Sequence, residues 1–233
     1  MTTEDLISYW RGDWKIHPDD QSAVSTHNSI YLENDARHLH TKSLTPIPWV
    51  GNLRSAAVIL VMLNPGYCNE QPEYERRESQ LLEDNRNQFK GCNMFCLVDN
   101  AGITSGGRYW RSIFRTFVQA HFQDCEAGYR LLAEKLCVAQ MIAYHSKRDP
   151  GSKLRSSLPS SRPMLAWLRK EAQENQSRGI IIMRCYNDVG PLGAGRNVLI
   201  CNNELQLRRP SFNPVGLVSR HWASHLERHL HPR

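Results

Sequence analysis

Asn64-Pro65-Gly66-Tyr67 and Asn213-Pro214-Val215-Gly216-Leu217 put two asparagines in turn-forming segments far apart in a 233-residue chain. An asparagine amide can orient a water molecule for attack, although it cannot act as a full general base. Tyr67 adds an aromatic face that can stack on an unpaired base. A third group, Tyr144-His145-Ser146-Lys147, ends an apolar run with a phenol, an imidazole, a hydroxyl and an ammonium. His145 there can donate to a carbonyl or a leaving-group oxygen, and Ser146 and Lys147 can meet a phosphate. Such a set suits a hydrolysis in which water is positioned and the leaving group is stabilised. Each residue also has a plainer reading. Asn, Pro and Gly are turn formers, Tyr67 can be an ordinary loop tyrosine, and His145 can be satisfied by backbone at a strand end.

The hydrophobic pattern supplies the elements that must hold these residues. Ala56–Leu63 (AAVILVML) is apolar and rich in β-branched residues, short enough for a strand covered on both faces, so Asn64 falls at the carboxyl end of a central strand. Cys137–Tyr144, Gly179–Met183 and Asn197–Cys201 predict three more core strands. Tyr109–Phe122 places Tyr109, Ile113, Phe117 and Ala120 on one helical face, and Gly128–Lys135 predicts another helix. Leu158-Pro159-Ser160-Ser161 opens an amphipathic helix over Pro163–Glu174, with Met164, Leu165 and Leu168 inward. A last helix is expected over His221–Leu230. Residues 67–106 read as a long polar loop with a helical turn or two around Glu75–Leu82.

Residues 1–45 are polar, with a short helix expected over Glu4–Arg11 followed by irregular chain. They read as an N-terminal extension packed on a domain covering residues 46–233, whose start is punctuated by Thr45-Pro46-Ile47-Pro48. Short strands alternating with helices predict an α/β fold. The expected form is a three-layer α/β/α sandwich with a mainly parallel four-stranded central sheet, in which sites gather beyond the carboxyl ends of the strands.

Taken in order, the two asparagine motifs resemble the active-site motifs of the mismatch-specific uracil / thymine-DNA glycosylase branch of the uracil-DNA glycosylase superfamily. Arg108-Tyr109-Trp110-Arg111 resembles the Arg/Asn-aromatic-Trp helix start of that branch. The second strand with a pocket-lining tip, the third after a helix and the fourth feeding the second motif recur in the same order, covering residues 50–230. Pro48–Gly66, Tyr144–Lys147 and Leu158-Pro159-Ser160 also resemble a bacterial offshoot of the superfamily. Three departures put the substrate in doubt. Val215 stands where the branch has serine, the loop after Asn64 is longer, and ten residues, 203–212, separate the fourth strand from Asn213.

The resemblance implies a uracil-DNA glycosylase-like fold and hydrolysis of the N-glycosidic bond of a damaged, mismatched or modified base after base flipping, with DNA, double- or single-stranded, as partner. Asn64 would hold the water and His145 would serve the leaving group. Pro65, Gly66, Tyr67, Tyr144, Ser146 and Asn213 would surround the base, with Gly66 admitting it close to the backbone. Pro214 and Gly216 would carry Leu217 into the minor groove as a wedge. Lys147, Arg208, Arg209 and Arg220 would meet phosphates. Leu217 can equally anchor the last helix in the core, and the arginines can be solvated surface. No cofactor and no metal are expected.

Charge and cysteine usage are compatible with that expectation. The net charge of +6 favours a polyanionic partner, and 40% hydrophobic residues are ordinary for one globular domain. No apolar run reaches membrane-spanning length and the first nine residues do not resemble a signal peptide, so a cytoplasmic protein without membrane contact is expected. Seven irregularly spaced cysteines fit reduced thiols better than disulfides. Cys68, Cys92 and Cys96 lack a cluster-binding spacing, and His221, His225 and His229 at four-residue intervals lack an acidic or cysteine partner, which favours a surface strip over a metal site. Three rival readings use the same residues differently: a nucleic-acid or nucleotide-binding module of the same fold without hydrolysis, in a phage-related or defence context; a hydrolase of free nucleosides; and an unrelated small-molecule α/β enzyme. The last gains no support from a Walker lysine, G-x-G-x-x-G or G-x-S-x-G motif.

Overall fold

A computed structural model of the chain describes residues 1–12, 14–42, 44–67, 97–98, 105–183, 185, 189, 192 and 197–200. A mixed, mostly parallel sheet of five strands organises them, in the order β1-β3-β2-β4-β5. The four expected strands are β2 (Val58–Met62), β3 (Leu136–Gln140), β4 (Gly179–Ile182) and β5 (Val198–Ile200), and they pair in parallel. The expected count of four is corrected by β1 (Trp49–Gly51), which adds an antiparallel edge with Trp49 opposite Ala139. Three residues just after Pro46 and Pro48 are too few to show an alternating pattern. Gly51 has φ of 103°, and a Cβ there would overlap the Leu136 carbonyl oxygen, so close strand contact requires glycine.

Every residue of β2 is buried, as a strand covered on both faces must be. Alternate residues serve different cores. Val58, Leu60 and Met62 join one, and Ile59, Val61 and Leu63 join the other.

The first of these cores is covered by α3 (Ser105–His121) and α4 (Cys125–Lys135). Trp110, Ile113, Phe114, Phe117 and Val118 recur at helical spacing and are buried. The buried stripe is therefore turned from the expected one, with Tyr109 half-buried and Ala120 exposed. Asp124 caps α4 by accepting from the Glu126 amide, and the helix runs straight into β3.

The opposite core takes α1 (Thr3–Tyr9), α2 (Gln21–Ile30), α5 (Ser152–Ser157) and α6 (Ser161–Glu174). Leu6, Ile7, Trp10, Val24 and Leu39 are buried in it beside Trp167 and the sheet, so the N-terminal residues share the core of the strands. Two of these helices were not expected. α2 (QSAVSTHNSI) buries only Val24 and His27, too little apolar character to read as periodic, and α5 buries only Leu154.

Candidate functional site

The path of the chain places Asn64 at a particular point of the sheet. From β2 the chain crosses through α3 and α4 to β3 on one side, then through α5 and α6 to β4 on the other. The strand order reverses around β2, and in parallel α/β sheets the crevice beyond the carboxyl ends at such a reversal is where ligands bind. Asn64 lies two residues past the end of β2, at the carboxyl side of that reversal.

Two loops are zipped together there. Gly66 and Ser146 form an isolated parallel bridge, which resumes the β2–β3 pairing after a break and lays residues 64–67 alongside residues 144–147. The Asn64 amide nitrogen donates to Ser146 Oγ at 2.9 Å and to the Pro65 carbonyl at 3.0 Å. Ser146 Oγ in turn donates to the Arg148 carbonyl at 2.5 Å, so its lone pair faces Asn64. Acceptors on the inner side settle which end of the amide is nitrogen. Oδ1 accepts from no described residue, which leaves it able to hold a water proton.

His145, expected to serve the leaving group, is held inside the protein. Its ring is 2% exposed, and Nδ1 lies 2.8 Å from the Gly66 carbonyl, which can only accept, so Nδ1 carries the proton. Burial pushes its pKa down to about 4, against smaller upward pulls from the Gly66 and Thr45 carbonyls. The neutral ring holds its one proton on Nδ1 against the Gly66 carbonyl, so at neutral pH it has none on Nε2 for a leaving group. His145 ties the β3 tip to the Gly66 loop.

Tyr144 and Ser146, expected beside the base or a phosphate, are both hydrogen-bonded within the protein. Tyr144 is 1% exposed; its hydroxyl donates to the buried Asp20 carboxylate at 2.7 Å and accepts from the His17 amide at 3.0 Å. Burial and the adjacent Asp20 raise its pKa. Ser146 is buried, and both sides of its hydroxyl serve Asn64 and Arg148.

Pro65 is buried, whereas Gly66 is exposed. Gly66 lacks a positive φ, and a Cβ built on it meets nothing within 4 Å. The fold itself makes no demand for glycine at that position. Tyr67 is half-buried and stacks on His40 with ring centroids 3.5 Å apart and planes at 6°, while exposed Lys147 holds Nζ 5.6 Å from the Tyr67 centroid. His40 and Asp20 were missed in the sequence. Both lie in the polar N-terminal region, and only their placement against Tyr67 and Tyr144 reveals them.

Asn64, Gly66, Tyr67, His145, Ser146 and Lys147 thus share one edge of the sheet. Asn213, Pro214, Gly216, Leu217, Arg208, Arg209 and Arg220 lie outside the described residues, as do Glu75–Leu82, His221–Leu230 and Cys68, Cys92 and Cys96. Among the described residues no group of three or more His, Cys, Asp or Glu side chains is arranged to hold a metal ion, and no helix is long and apolar enough to cross a membrane. No protein-family model, no curated protein and no solved structure matches this chain.

Proposed function

We propose that the chain is a monofunctional DNA glycosylase with the three-layer sandwich of the uracil-DNA glycosylase superfamily, hydrolysing the N-glycosidic bond of a damaged, mismatched or modified base extruded from DNA. The observation that carries this reading is the Asn64 amide at the strand-order reversal, its nitrogen tied to Ser146 and its oxygen without a donor among the described residues. In the proposed reaction Oδ1 accepts a hydrogen bond from a water. The water's free lone pair then attacks C1′ as the C1′–N bond breaks. The base departs with the bonding pair, and the proton of the attacking water passes to solvent. An amide contributes orientation and little basicity, so a slow enzyme is expected.

One observation favours a second reading. His145 holds no proton for the departing base at neutral pH. A site without that donor suits a nucleic-acid or nucleotide-binding module of the same fold. Incubation with oligonucleotides carrying uracil, mismatches or modified bases, followed by alkaline cleavage of abasic sites, separates the two. The glycosylase reading expects strand cleavage at one class of base. Binding without cleavage at any of them would leave the module.

A further inference from the structure

We propose that His40 is a positioning residue that backs Tyr67, so that the N-terminal segment completes a stacking site for the planar base of a nucleoside monophosphate unit, with Lys147 facing its phosphate. This rests on the reading above only in taking DNA as the source of that unit.

A tyrosine directly after an exposed glycine would ordinarily turn freely about its side-chain bonds. Here the imidazole of His40 lies parallel to its ring at 3.5 Å, which consumes one face and fixes the ring plane. His40 is itself held. Its backbone N–H donates to the His145 carbonyl at 3.0 Å, and its ring packs edge-on against His38 at 5.4 Å. The Arg148 amide donates to the Ala36 carbonyl at 2.8 Å and the Ile47 amide to the Ala143 carbonyl at 2.8 Å, so the segment carrying His40 is attached to the β3 tip on both sides of it. His40 is 9% exposed and adds no charge at neutral pH, because burial, with smaller contributions from His38 and Lys147 against Glu33, keeps it neutral.

The stack is thus held by the N-terminal segment and attached to the loop that carries Asn64. Aromatic platforms of this kind hold any base through its π-face. The exposed Lys147 side chain holds its ammonium over the Tyr67 ring, 5.6 Å from the centroid, so a base that stacks there displaces it toward the base's own phosphate. A base bearing a phosphate is favoured over one without. The space beside Gly66, where a Cβ would meet nothing, leaves the adjoining backbone open to such a ligand.

The test is a proton NMR titration of the full chain with dTMP, with thymidine and with a short single-stranded oligonucleotide, reading the thymine methyl shift and the dissociation constant. The parent should move the methyl upfield by ring current and bind dTMP more tightly than thymidine. Lys147→Ala should remove that preference while keeping the upfield shift. His40→Ala should weaken dTMP binding roughly tenfold and shrink the shift, as loss of ordered stacking predicts. His40→Phe should restore both, which a purely structural histidine would not require. Tyr67→Ala, which leaves His40 in place, should abolish the shift.

Tighter binding of the oligonucleotide than of dTMP would identify DNA as the source, and the reverse order a free nucleotide; both support the platform. No upfield shift with the parent overturns it. So does an unchanged shift in folded His40→Ala, or a folded His40→Phe that fails to recover it. Base release measured on the same preparations keeps the two proposals apart: stacking without release sinks the glycosylase reading alone, and release without stacking sinks this one.

Discussion

A primary amide can turn either its oxygen or its nitrogen toward solvent, and only the first orientation lets Asn64 hold a water by one of its protons. Ser146 decides between them, because its hydroxyl proton is committed to the Arg148 carbonyl. Asn64→Ala should therefore remove base release while leaving DNA binding nearly intact, since orientation of the water matters mostly in the transition state. The stability cost should be about 1 kcal/mol, the usual size for a turn residue with a few hydrogen bonds. Single-turnover cleavage beside a binding titration checks this, and cleavage at the parental rate would remove Asn64 from the mechanism. Gly66→Ala makes a cleaner separation. No positive φ and no neighbour within 4 Å oppose a methyl group there, so stability should stay level or rise by a few tenths of a kcal/mol. If a ligand approaches that backbone, its affinity should fall while the melting temperature holds. A variant with unchanged affinity would mean that the backbone at 66 contacts nothing.

At the scale of elements, the site stands on the attachment of the N-terminal segment to the tips of β2 and β3. Asp20 is fully buried and accepts from the Tyr144 hydroxyl and from the Ser160 amide at 2.9 Å, which joins the short 3₁₀ turn Pro18–Asp20 to β3's extension and to the start of α6. Tyr144→Phe deletes one donor to a buried carboxylate and leaves the His17 amide without its acceptor. A loss of about 2–3 kcal/mol is expected, read as a lower urea midpoint with an unchanged slope. Activity per folded molecule should not change, because the phenol is committed to the core. A drop in activity with unchanged stability would return Tyr144 to the binding surface.

For the molecule as a whole, two buried histidines make stability depend on acid. His40 and His145 each fall from an ordinary pKa of 6.5 to about 4 on folding, chiefly through burial. The unfolded chain thus binds more protons between those values. The stabilisation is complete above about pH 6.5 and is lost as pH falls toward 4, at up to about 1.4 kcal/mol per pH unit for each histidine. Urea unfolding at pH 7, 6 and 5 should show the decline, and His40→Phe should make it shallower; a flat profile would mean that neither ring is sealed in the folded state. The net charge of +6 bears on partners instead. DNA affinity should fall steeply with added salt, and Arg208→Ala with Arg209→Ala should flatten that dependence if those residues neutralise phosphates. A slope that stays the same in the double variant would place the phosphate contacts elsewhere, with Lys147 the first alternative.

Local composition was enough to determine the four parallel strands. The run Ala56–Leu63 could be satisfied only by a strand covered on both faces, and the helical spacing around Ile113 and Phe117 only by a helix against it, so the parallel strands and the position of Asn64 at a strand end were legible. α2 and β1 were not legible, because Val24 and His27 form too small a buried face and Trp49–Gly51 too short a strand to show a period. The roles of individual polar side chains lay beyond the sequence for a different reason. Whether Ser146 meets a phosphate or an amide, whether His145 can give up a proton, and what lies against the Tyr67 ring all depend on atoms brought together from distant positions. Ser146 meets Asn64 across 82 residues, His145 meets Gly66 across 79, and Tyr67 stacks on a histidine of the N-terminal segment. Periodicity is a property of neighbours along the chain, whereas hydrogen-bond direction and desolvation belong to neighbours in space, and only tertiary structure chose those.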